Sequence, residues 1–144
     1  MCMTQKIAIA SDHGGYSLKK AIKEKFSSYD WVDLGTDSTE SVDYPEFGYS
    51  VAEAIEKGKV EFGVIVCGTG IGISIAANRN PAVRAALCTD TTMARLTRQH
   101  NDANVLALGE RIIGEEAAFD IVEVFLNTEF EGGRHARRVE KLSQ

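Results

Sequence analysis

The sequence has little of what marks a secreted, membrane-bound or nucleic-acid-binding chain. Its three cysteines, Cys2, Cys67 and Cys88, are an odd number without a CxxC pair, so neither a disulfide framework nor a zinc ribbon is written in it. Its three histidines, His13, His100 and His135, show no HxH or HExxH spacing, so no metal centre and no cofactor are expected. Positive charge is in deficit. Sixteen Lys and Arg against 21 Asp and Glu give a net charge of −5, which leaves no whole-molecule field to attract a nucleic-acid backbone or an anionic membrane. Long apolar runs are missing too: Val64 to Cys67 and Ile121 to Leu126 fall far short of the ~20 residues that cross a bilayer. No signal-type segment opens the chain, because Ser11, Asp12 and His13 interrupt the run that ends at Ala10, and a reducing, cytoplasmic location is expected. With only two prolines, 44% apolar and 26% charged residues, 144 residues suffice for one domain, spanning 1–144, with a real core.

What is present is an alternation of β-type and helical patterns. Lys6 to Ala10 reads as a strand, followed by the polar and glycine cluster Ser11 to Gly15 and by Leu18, Ile22 and Phe26 at helical spacing. Trp31 to Leu34 reads as a second strand. The turn-rich stretch from Gly35 to Pro45 follows, then a helix marked by Val51, Ala52 and Ile55 that ends near Gly58. Phe62 to Val66 has no polar alternation, as expected of a strand covered on both faces. After it come a helix over Ile73 to Ala77, a strand over Val83 to Leu87 and a helix over Thr91 to His100. A strand over Val105 to Leu108, a helix over Glu115 to Leu126 and a last helix after Gly133 complete the chain. Five strands alternating with helices predict an α/β fold: a doubly wound, Rossmann-like parallel sheet of order 2-1-3-4-5 with a C-terminal helix. The loops after the first and third strands then flank the switch point where such sheets bind ligands, which brings Asp12-His13 beside Cys67 to Gly72.

Gly68-Thr69-Gly70-Ile71-Gly72 leaves a buried strand and enters a helix, so its backbone N–H groups can converge on an anion; a plain tight turn is the competing reading. The loop is neither a GxGxxG fingerprint nor a P-loop, and Ile73 stands where a phosphocysteine loop would need Arg. Cys67, at its mouth, faces a helix N-terminus that favours a thiolate base or nucleophile, against the reading of a buried structural thiol that suits Cys88 better; Cys2 is assigned nothing. His13 beside Asp12, and His100 at a helix end, have the side chain for acid–base chemistry near neutrality, while a solvated cap explains His100 equally well. The cluster Arg134, His135, Arg137, Arg138 and Lys141 is basic in an acidic chain. Arg134 and Arg138 share a helix face, either as a phosphate clamp or as a solvated face. Asp43 and Tyr44 fall in a polar loop able to cover a site or merely to pack.

Taken in order, Asp12-His13-Gly14, Asp43-Tyr44-Pro45, the stretch CGTGIGISIAAN from Cys67 to Asn78, RQHND from Arg98 to Asp102 and Glu131-Gly-Gly-Arg-His135 closely resemble the type B ribose-5-phosphate isomerases. That family also holds galactose-6-phosphate and allose-6-phosphate isomerases. The resemblance implies a metal-independent aldose–ketose isomerase that interconverts ribose 5-phosphate and ribulose 5-phosphate through an enediolate. Cys67 would be the proton-transfer base, the Gly68, Gly70, Ile71 and Gly72 amides would hold the enediolate oxygen, and Thr69 would place the reacting oxygens. His100 would open the sugar ring and Asn101 hold its hydroxyls, both supplied by the neighbouring subunit of a homodimer or dimer of dimers. Asp12 would contact sugar hydroxyls, and His13, Arg111, Arg134 and Arg138 the phosphate. Some members place Glu where this chain has Ile73 and use it as the base, which leaves Cys67 alone in that role here. The open alternatives are a six-carbon sugar phosphate as substrate, a hetero-oligomer that needs a paralogue, and, from another class, a nucleotide-binding regulatory module. The absence of GxGxxG and P-loop motifs speaks against the last, and the presence of both Cys67 and His100 against the second.

Overall fold

The computed structural model describes residues 5–143; Cys2 and most of the segment read for a targeting signal lie outside them. Five strands, β1 (Lys6–Ser11), β2 (Asp30–Asp33), β3 (Phe62–Cys67), β4 (Ala85–Leu87) and β5 (Val105–Gly109), form one all-parallel sheet. Six α-helices join and cover it: α1 (Tyr16–Lys25), α2 (Tyr44–Glu56), α3 (Ile71–Ala77), α4 (Thr91–Asn101), α5 (Glu115–Asn127) and α6 (Arg134–Leu142). No helix among the described residues is long and apolar enough to cross a membrane.

Side-chain alternation along the strands divides the core in two. Ile7 and Ile9, Val64 and Val66, and Leu106 and Leu108 pack under α1, α4 and α5, whereas Ala8 and Ala10, Ile65 and Cys67, and Val105 and Ala107 pack under α2 and α3. The second face carries the smaller residues, so α2 and α3 approach the sheet closely. Cys67 therefore ends β3 inside that tighter layer, with its thiol at the carboxyl edge.

The sheet order is β2-β1-β3-β5-β4, not the expected 2-1-3-4-5. The chain passes from β3 over the place of β5 to the edge, forms β4, and steps back to insert β5. A right-handed crossover that reverses direction must change faces, which is why α4 packs with α5, on the face that α1 covers, rather than with α2 and α3. Burial explains the choice: β5 is buried at every position, while the three residues of β4 are half-buried, as suits an edge. The exchange sets the loop after β5 directly beside the loop after β3.

Candidate active site

β1, β3 and β5 are neighbours, and the loops leaving their carboxyl ends meet at one place. Cys67 Sγ is buried and accepts the Gly70 N–H at 3.1 Å. Thr69 Oγ1 accepts the Ile71 N–H at 3.1 Å, which leaves its hydroxyl proton free to donate. The amides of Gly70 and Ile71 are thus engaged inside the loop. Gly70 has φ +79°, and a Cβ there would lie 2.6 Å from Leu87 Cδ1 and 2.8 Å from the Leu108 carbonyl carbon, so the turn needs glycine on both counts. Gly72 carries the Tyr44 ring, since a Cβ on it would come within 2.5 Å of Tyr44 Cε1.

Around this loop stand charged groups. Asp12 is 7% exposed, and its Oδ1 is buried with no hydrogen-bond partner among the described residues. An unmet buried acceptor costs roughly 1–3 kcal/mol, which a hydroxyl donor would return. His13 Nδ1 accepts the Val42 N–H at 3.2 Å, so the neutral ring carries its proton on Nε2. Arg111 lies along Gly68: a Cβ on that glycine would be 3.4 Å from Arg111 Cδ and 3.5 Å from its Nη1. The Arg111 N–H donates to Gly68 O at 2.9 Å and the Glu110 N–H to Cys67 O at 3.0 Å. Glu110 Oε1 in turn accepts the Leu18 N–H at 2.7 Å at the start of α1, a brace that sequence reading missed. Its only sequence signal is an acidic residue directly after a buried strand.

Tyr44 does not lie in a loop as expected. It is the first residue of α2, with Asp43 at the N-cap, Pro45 in the first turn and Glu46 behind it, a helix-start pattern hidden inside a turn-rich stretch.

His100, Asn101, Arg134 and Arg138 do not join this group within one chain. α4 starts at the carboxyl edge and returns to the amino edge, so His100 and Asn101, in its last turn, lie at the opposite end of the sheet from Cys67. α6 packs there too: the Glu131 N–H donates to Gln99 O at 3.1 Å, and His100, Asn101, His135 and Arg138 share a hollow of about 310 Å³ with Val139 and Leu142. The arginines expected to sit with His13 and Arg111 accordingly belong to the half that carries His100.

That second half is held rigidly. Arg98 is buried, with Nη1 donating to Asp102 Oδ1 at 2.8 Å and to Ala103 O at 2.7 Å, and Nε to Thr128 O at 3.0 Å, while its guanidinium lies 4.9 Å from the Phe62 ring centre. Asp102 closes the helix in the left-handed region at φ +48°. His100 stacks on His135 with ring centres 4.5 Å apart, and Glu131 Oε1 stands 4.0 Å from His100 Nε2 and 3.6 Å from His135 Nε2. Desolvation, His100 and Arg134 hold the His135 imidazole below its usual pKa, outweighing Glu131. The sequence assigns no role to Glu131 or His135, and their spacing of four is the signal that links them.

Comparison with known proteins decides what this arrangement belongs to. The family model described as Ribose/Galactose Isomerase matches residues 7–142, nearly the whole chain. The chain belongs to the ribose/galactose isomerase family. Within it, ribose-5-phosphate isomerase B of Escherichia coli is 45% identical over 141 residues, covering 96% of this chain and 95% of the relative. The solved structure of ribose-5-phosphate isomerase B from Clostridium thermocellum superposes with a TM-score of 0.94 at 56% identity, covering 96% of this chain and 95% of that one. The Mycoplasma genitalium ribose-5-phosphate isomerase B structure, solved with bound ribulose-5-phosphate, gives a TM-score of 0.91 at 42% identity, with 99% and 96% covered. The five-stranded parallel sheet is thus the fold of this isomerase family.

Proposed function

We propose that this protein interconverts D-ribose 5-phosphate and D-ribulose 5-phosphate through an enediolate. The observation that carries the reading is the meeting, at one sheet edge, of a buried thiol that accepts an amide N–H with an unpartnered buried carboxylate oxygen, Asp12 Oδ1. In this reading the Cys67 thiolate takes the C2 proton of the open-chain aldose and returns it to C1, while the hydroxyl proton passes from O2 to O1. Its hydrogen bond from Gly70 strengthens when the sulfur is charged. The amides of Gly68, Thr69 and Gly72 face the oxygen on which charge develops, and the Thr69 hydroxyl donates to its neighbour. Asp12 Oδ1 accepts a sugar hydroxyl, with Tyr44 and Ile71 on the rim. His13, through Nε2–H, and Arg111 hold the phosphate. Ile73 is wholly buried and has no proton to move, which leaves Cys67 as the base.

Ring opening needs an acid–base group besides Cys67, and in the Cys67 half His13 is committed to the phosphate. His100 has that chemistry, with Asn101 and Arg138 lining the same hollow and Arg134 at the start of α6, but at the far edge of the same chain. A homodimer in which each chain lends this edge to the other's Cys67 edge completes two sites, and dimers can pair further. The test is proton NMR of ribose 5-phosphate in D₂O with EDTA. Loss of the C2 proton signal together with appearance of ribulose 5-phosphate supports the assignment. Turnover of allose 6-phosphate alone would shift the substrate to six carbons, and inertness towards both sugars would overturn the isomerase reading.

A further inference from the structure

Among the described residues one group of side chains has the donors of a metal centre, and it lies away from Cys67: His100, Glu131 and His135, whose ligand atoms all fall within 4.8 Å of one another. Three elements build it. His100 sits in the last turn of α4, which the Arg98–Asp102 pair fixes. Glu131 is tied to α4 by its N–H on Gln99 O, and His135 follows it by four residues in the first turn of α6. Both imidazole Nε2 atoms lie within 4.0 Å of the same Glu131 oxygen, so the three donors are gathered at one place.

Two imidazoles and one carboxylate are the donor set of zinc and its neighbours, not of magnesium or calcium, which want oxygen throughout. Tetrahedral bonds of about 2.0–2.2 Å put donor atoms roughly 3.3 Å apart, so the present separations must close by about 1.5 Å at most. Side chains that are 41% exposed at His100 and 51% at Glu131 have room to do so, although the stacked rings must turn for their lone pairs to converge. The neighbouring hollow leaves a fourth position for water. Arg134 and Arg138 repel a dication, which limits affinity without altering which metals are preferred.

We propose that His100, Glu131 and His135 form a three-ligand site for a divalent transition metal of the zinc type, and that filling it inhibits the enzyme by capturing His100. The binding claim stands on these three side chains; the inhibitory claim rests on the role given to His100 under the proposed function.

Cobalt(II) titrated into the full chain, followed by its absorption spectrum and by zinc competition, separates the two. The expected result is a cobalt spectrum with visible d–d bands and no thiolate-to-cobalt charge-transfer band. Zinc displaces the cobalt, and EDTA reverses the inhibition of ribose 5-phosphate turnover. Glu131→Gln and His135→Gln should each weaken cobalt binding at least about tenfold, and zinc inhibition, taken against each variant's own metal-free rate, should weaken in parallel. A charge-transfer band that Cys67→Ala abolishes would move the metal to the thiol and overturn the site, as would unchanged binding in both variants. If wild-type protein binds cobalt with the expected spectrum but turns over no sugar phosphate, the site stands and the inhibitory claim falls together with the isomerase reading.

Discussion

Cys67 and Cys88 are both buried free thiols, yet their surroundings divide them. Burial, with Asp90 nearby, pushes the Cys88 thiol up to about 12, and its Sγ makes a 3.8 Å approach to Ala86 O. Cys67 instead receives a backbone N–H at the mouth of a glycine loop. Iodoacetamide at pH 7.5 should therefore leave Cys88 unmodified in the native protein, as read by peptide mass mapping, and alkylate it only after unfolding. Cys67→Ala should abolish exchange of the C2 proton while a ribose 5-phosphate titration still shows binding, because Asp12, His13 and Arg111 remain. Wild-type exchange in that variant would remove Cys67 as the base. Cys67→Ser should also be badly impaired, since a serine hydroxyl is far harder to deprotonate. At this scale the sequence was informative: Asp12, Cys67 and the glycines sit where strand ends and loop chemistry put them. Asp12's unpaired oxygen was not legible, because satisfaction of a polar atom depends on every neighbour at once.

The elements hold their own lesson in α1 and β2. Lys19, 2% exposed, and Lys23 both bind Asp33 at 2.8 Å, and Gly35 N–H adds a third donor at 2.9 Å. Burial alone would raise the Asp33 carboxyl, but the hydrogen bonds from Lys19, Lys23 and Gly35 outweigh it and hold it below the usual range. Folding thus weakens proton binding at Asp33. The stability it contributes is complete above pH ~5, where the unfolded carboxyl is already largely ionised, and is withdrawn as pH falls through the unfolded and then the lowered folded value. Asp33→Asn should cost about 2 kcal/mol at pH 7 by urea unfolding, since it leaves Lys19 without its charged partner, and the gap to wild type should shrink below pH 4. Periodicity located every strand and most helix ends, including the end of α2 at Gly58, where φ is +71°. It misjudged the start of α2 because Asp43-Tyr-Pro-Glu reads as turn and as helix start alike. Strand order failed for a different reason: neighbours in a sheet are set by tertiary packing. The fully apolar Val105 to Leu108, against a shorter run headed by Arg84, was the one hint that β5 is interior and β4 an edge.

For the whole molecule the decisive feature is that Cys67 and His100 occupy opposite ends of one sheet. On the composite reading each site takes Cys67 from one chain and His100 from the other. Cys67→Ala and His100→Asn proteins, each inactive alone, should then regain activity when their chains are exchanged. A mixed pair holds one intact site and one doubly defective site, so equal mixing with random pairing restores about a quarter of the wild-type sites. Recovery is measured as turnover after mild denaturant exchange and refolding, and none would mean that each chain works by itself. The same reading makes the catalyst's output depend on its own abundance. Where chains are scarce and pairs dissociate, rate climbs with the square of protein concentration, so a cell that halves expression loses about three quarters of its flux. On that reading a single newly made chain is chemically silent until it meets another.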